Sequence, residues 1–75
     1  MSNKETSSVI EYLIFFIGAF AKKHNLSNAQ SYRYLQHFDG LDFLIRHYAV
    51  EHTLSLDEAI SDVTAICQRN GGRIA

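Results

Sequence analysis

The chain has 75 residues, no proline, one cysteine and a formal net charge of -1. A chain of this length makes one domain near the lower limit for a self-supporting core, hiding only about 60% of its unfolded surface, and Cys67 has neither a disulfide partner nor a cysteine cluster with which to hold zinc. With 47% hydrophobic residues it is too apolar to be disordered, and its near-balanced charge argues against a broad nucleic-acid surface, which relies on clustered Lys and Arg.

Residues 1 to 6 are polar and without periodicity, so the chain reads as a single domain, 1-75, with flexible ends at 1-7 and 71-75. Ser8 and Glu11 have the S-x-x-E spacing of a capping box, which predicts a first helix over 9–24. It would place Val9, Leu13, Phe16, Ile17 and Phe20 on one side, Tyr12, Phe15 and Ala19 round one flank, and Ile10, Ile14 and Ala21 on the other. Only the narrow line Glu11, Gly18 and Lys22 is not strongly apolar. A helix apolar nearly all round belongs in the middle of a fold. The unbroken apolar run, Tyr12 to Ala21, is half of the about 20 residues needed to span a bilayer, and charged residues bracket it. The opening M-S-N-K-E-T-S-S lacks the pattern of a secretory signal. The expectation is a cytoplasmic chain with no membrane segment.

Lys22, Lys23 and His24 suit the negative end of the helix dipole, Asn25 tolerates the left-handed stop, and Leu26 is placed to fold back on the last turn. Ser27 and Gln30 form a second capping box, predicting a helix over 28–38 with Ala29, Tyr32, Leu35 and Phe38 as its apolar stripe. Asp39-Gly40 is a turn signal that also caps the next helix. This third helix is predicted over 41–52, with Leu41, Leu44, Ile45, Tyr48 and His52 on one face and Phe43 and Val50 on nearly the opposite one. Ser55 and Glu58 open a fourth helix, 56–69, along which Leu56, Ile60, Val63 and Cys67 recur at amphipathic spacing. Asn70-Gly71-Gly72 end it. The fold class is all-α: a compact bundle of four short helices round the central apolar first helix. Leu13, Phe16, Ile17, Phe20, Leu44, Tyr48, Ile60 and Val63 are the expected core.

No enzyme signature accompanies this pattern. His47 and His52 are five residues apart, the wrong spacing for a helical zinc pair, so no metal or other cofactor is expected. His47 and Glu51 read as an exposed i, i+4 pair, and His52 as a partly buried histidine bonding to backbone or Thr53. Cys67 occupies a core position and reads as an inert thiol. The carboxylates Asp57 and Glu58 are explained by capping. The Asp-Gly turn between two short helices invites a helix-turn-helix reading, but the third helix would offer DNA only Arg46 and His47 among apolar side chains.

The stretches K-H-N-L-S at residues 23 to 27, the tyrosine-rich second helix and F-L-I-R-H-Y-A-V-E-H-T-L-S at residues 43 to 55 resemble the small bacterial family catalogued as domain of unknown function 3791, over roughly Val9 to Ile66. The resemblance brings no catalytic or binding residues. It implies a context: members are often encoded beside a protein resembling an ADP-ribosyltransferase, an arrangement like that of toxin and antitoxin. The residues themselves suggest surplus apolar surface, because Phe15 lies beside the Glu11-Gly18-Lys22 line and Phe43 and Val50 point away from the main face of their helix. Phe15, Phe43 and Val50, with Tyr34 as a weaker candidate, are therefore expected to contact a protein. The reading is a non-enzymatic protein-protein interaction module, the antitoxin-like partner of such a neighbour. The alternatives are a small DNA-binding regulator of helix-turn-helix type and a homodimer of unknown role.

Overall fold

The computed structural model describes residues 3–73, with side chains from residue 7 onward. Five helices follow one another: α1 (Asn3–Lys23), α2 (Asn28–His37), α3 (Gly40–Arg46), α4 (Tyr48–Glu51) and α5 (Leu56–Arg69); among the described residues there is no strand. Residues 1–2 and 74–75 of the expected flexible ends lie outside the described residues.

Most helix ends follow from local chemistry. Ser27 Oγ accepts from the Gln30 N–H at 3.0 Å while Gln30 Oε1 accepts from the Ser27 N–H at 2.8 Å. Ser55 and Glu58 make the same reciprocal pair. Each box satisfies two of the N–H groups that a helix start leaves without partners. The Ser8 box does not mark a helix start, because α1 runs back to Asn3. N-K-E-T-S-S contains neither glycine nor proline, so nothing in it breaks a helix growing back from the apolar run.

α1 and α5 stop in the same way. Asn25 takes a left-handed φ of 57°, the Leu26 N–H donates to Ala21 O and the Asn25 N–H to Lys22 O. At the other end Gly71 has φ 93°, Gly72 donates to Cys67 O and Gly71 to Gln68 O. Both are Schellman closures, which use a left-handed residue to satisfy the last carbonyls. His24 does not serve the dipole as expected. Its ring packs on Phe20 at 4.4 Å, and burial, then Lys23, lower its pKa. The Gly71-Gly72 end, expected to be loose, is tied down further by Asn70 Nδ2 donating to Phe38 O and Tyr34 O–H donating to Gly72 O.

The core consists of Phe16, Phe20, Leu35, Leu44, Ala59, Ile60, Val63 and Cys67. Five of the expected core residues, Phe16, Phe20, Leu44, Ile60 and Val63, are buried, while Leu13, Ile17 and Tyr48 are half-buried. α1 supplies the largest rings; the backbone of α3 comes close to all four other helices. Against α1, α2 turns Ser31 and Leu35 inward rather than the expected Ala29 and Tyr32, which are exposed. Ser31 is fully buried and its hydroxyl donates to Ile17 O at 2.9 Å. The small side chain allows a close approach that tyrosine would prevent.

Asp39 has φ 66° and makes no side-chain capping bond, so it turns the chain without capping α3. Gly40 then enters the core: a Cβ there would come within 2.9 Å of Cys67 Sγ and of Leu35 Cδ2 and within 3.1 Å of Val63 Cγ1. This contact sets the rotation of α3, drawing Phe43 toward the core and turning Ile45, expected on the inner face, outward. Gly40→Ala should overpack this junction and lower stability by about 1–3 kcal/mol in a urea titration.

The helix expected over 41–52 is in fact two. At His47 ψ moves to 23°, although the Glu51 N–H still reaches His47 O at 2.8 Å. Neither proline nor glycine, the usual local causes of a kink, is present there. The bend accompanies tertiary contacts: the Tyr48 ring meets Tyr12 edge-on at 5.5 Å, and Glu51 is carried inside.

Candidate protein-interaction surface

The helical period divides α1 into two faces. With Phe16 and Phe20 fully buried, the positions on the far side of the helix cannot face the core: Glu11, Ile14, Phe15 and Lys22 are exposed, and Ile10 beside them as well. Ile14 is 67% and Phe15 59% exposed. Gly18 lies among them, and a Cβ built on it would find nothing within 4 Å. A shallow groove of about 530 Å³ runs past Ile14, Phe15, Gly18, Ala19 and Lys22 toward Leu26 and Leu56. The result is an apolar strip along one helix with a glutamate near its start and a lysine at its end.

The four expected contact residues fall into two pairs. Phe15 and Val50, each 59% exposed, are available to a partner. Phe43 is half-buried, packs against the core and meets His47 at 4.8 Å. Tyr34 is half-buried between Phe20 and Phe38, and its hydroxyl is committed to Gly72 O, which gives it a structural task. Burial, then its neighbour Cys67, raises its pKa. Sequence reasoning missed Ile10, Ile14 and Ile45 as surface residues. Ile10 and Ile14 were legible in principle, since they flank the Glu11-Gly18-Lys22 line on the side opposite Phe15.

A second constellation is more polar. Glu51 is 4% exposed, and its Oε1 has no hydrogen-bond partner. It was expected to pair with His47 on the surface, but the His47 bend turns it toward α1 and α5. Burial, followed by a hydrogen bond to and repulsion from Asp62, pushes its pKa from 4.5 up to about 7. Glu51 therefore keeps its proton to a higher pH than an ordinary glutamate does. Tyr12 is nearby, its hydroxyl 3.5 Å from Glu51 O, and its own pKa is raised by burial and then by Glu51 and Tyr48. His52 is exposed rather than partly buried; it stacks on Tyr48 at 4.4 Å and its Nδ1 donates to Tyr48 O at 2.6 Å.

Burial pushes the Cys67 thiol up to about 11, so it is protonated at neutral pH and a poor nucleophile. Among the described residues no three His, Cys, Asp or Glu side chains gather so as to hold a metal ion, and no helix is long and apolar enough to cross a membrane.

The architecture is that of a small all-α bundle with an uncovered face on its longest helix. A family model described as "Protein of unknown function (DUF3791)" matches residues 11–70, and the chain belongs to that family. No curated protein and no solved structure matches it.

Proposed function

We propose that this chain is a cytoplasmic, non-enzymatic protein-protein interaction module that docks through the outer face of α1, in the manner of an antitoxin-like partner. The supporting observation is the exposure of Ile14 and Phe15, with Ile10, along one face of one helix. Covering a side chain of this size stabilises a complex by about 1.5–3 kcal/mol, and aromatic residues are frequent anchors of such contacts. A DNA-binding role draws less support. Arg46, which with His47 was what the third predicted helix would offer DNA, pairs with Asp42 at 2.9 Å, and exposed Ile45 sits beside it.

The test is co-expression with the ADP-ribosyltransferase-like protein that the sequence resemblance places alongside such chains, followed by size-exclusion chromatography. Phe15→Asp is expected to keep its helical content and melting temperature while losing the complex. Phe43→Asp, by contrast, removes a ring packed on the core and is expected to lower the melting temperature itself. Retention of the complex by Phe15→Asp, or its unfolding, would remove the basis of the proposal.

A further inference from the structure

Gly18 stands in the interior of a 21-residue helix, where glycine costs about 0.8–1 kcal/mol relative to alanine. Such a residue commonly permits another backbone to come close, yet nothing in this fold lies within 4 Å of where its Cβ would be. The neighbours on the same face supply the missing partner. Glu11, Phe15, Gly18 and Lys22 recur at spacings of four, three and four, the rhythm of a seam between two helices. Glu11 and Lys22 are centred on the same point of α1, the peptide between Phe16 and Ile17. Phe15 and Gly18 are centred there too, and so are Ile14 and Ala19.

A two-fold axis beside that point therefore satisfies all of these pairs together. We propose that the outer face of α1 pairs with a second copy of itself, antiparallel, so that Phe15 of each chain inserts over the partner's Gly18 and Glu11 meets the partner's Lys22. The inference rests on the reading of this face as the docking surface and names what covers it when no other protein is bound. The face is complementary to itself in both shape and charge. It carries one ring and one notch, one acid and one base, each at mirrored positions, as an isologous interface requires. Parallel pairing would instead set Glu11 against Glu11 and Lys22 against Lys22. The groove of about 530 Å³ running past Gly18 is the space the incoming ring would take. Every contact occurs twice about the axis, so one substitution changes two contacts.

Sedimentation equilibrium on five proteins tests this: the wild type, Glu11→Lys, Lys22→Glu, the double reversal and Gly18→Leu. The wild type should be a dimer, with a dissociation constant on the order of micromolar or tighter. Each single reversal replaces two attractions by two repulsions and should weaken the dimer by roughly tenfold or more. The double reversal should restore it. Gly18→Leu should be a monomer whose melting temperature holds or rises, because the site is open within one chain and leucine is the better helix former. A monomeric wild type, a dimer indifferent to the single reversals, or a dimer that survives Gly18→Leu would overturn the pairing. If the wild type is monomeric while Phe15→Asp still abolishes the complex with a co-expressed protein, the pairing fails and the interaction-module reading stands. If Phe15→Asp affects neither association, both fail.

Discussion

Phe16→Ala is expected to destabilise the protein by about 3–5 kcal/mol, the cost of removing a fully buried ring and leaving a cavity. Phe16 is 0% exposed and stands between two further rings of α1, Tyr12 and Phe20, each with its centroid 6.1 Å away. At about 0.05–0.15 kcal/mol per residue, the whole chain has of the order of 4–11 kcal/mol to lose. The variant should thus lose a large share of its stability, and its urea midpoint should fall well below that of the wild type. The neighbouring Phe15→Ala is the control. Its ring is 59% exposed, and such surface replacements usually fall within about 0.5 kcal/mol. Urea titrations of the two variants side by side check the assignment of faces. A Phe16→Ala midpoint close to that of the wild type would mean that α1 is rotated from the orientation described.

Stability should also fall as the pH rises from mildly acidic to mildly alkaline, because of Glu51. Its folded pKa of about 7 lies above the ordinary 4.5, owing first to burial and then to Asp62. The folded protein therefore binds a proton more tightly than the unfolded chain does. The stabilisation is fully present below about pH 4.5, declines as pH rises above that, and is exhausted above about pH 7. At about 1.4 kcal/mol per pH unit the full effect is on the order of 3–4 kcal/mol. The groups facing Glu51 are Tyr12 on α1, whose own pKa is raised further above this window, and Asp62 on α5, so the slope follows the Glu51 carboxyl. Glu51→Gln keeps the shape and offers Asp62 a permanent N–H donor. It should be more stable than the wild type at pH 8 and differ little from it at pH 4.5. Denaturant titrations at both pH values decide the matter, and an unchanged pH slope in Glu51→Gln would count against a buried, proton-holding Glu51.

Much of the fold was legible because its signals act over three to five residues. The Ser27–Gln30 and Ser55–Glu58 boxes, the Asn25 stop and the Asn70-Gly71-Gly72 stop each satisfy backbone groups within one turn, so no distant contact is needed to place them. The amphipathic spacing of Leu56, Ile60, Val63 and Cys67 likewise identified the buried face of α5, because only one face of that helix is apolar. The candidate surface was half legible: Phe15 and Val50 are exposed as expected, whereas Phe43 and Tyr34 are engaged by the core and by Gly72.

By itself, then, the sequence determined the helical class, the positions of most helix ends and the burial of Phe16 and Phe20. The tertiary structure decided what local pattern leaves degenerate. α1 is apolar nearly all round, so only the limited reach of the shorter helices determines that Ile10, Ile14 and Phe15 stay in water. The rotation of α2 depends on Ser31 fitting beneath Ile17 O, and that of α3 on Gly40 touching Cys67, both contacts between residues far apart in the chain. The bend at His47 and the burial of Glu51 belong to the same class. No residue near them breaks a helix, and the contact that accompanies them is the Tyr12–Tyr48 ring pair across the fold, at a separation where a periodicity of three or four residues carries no information.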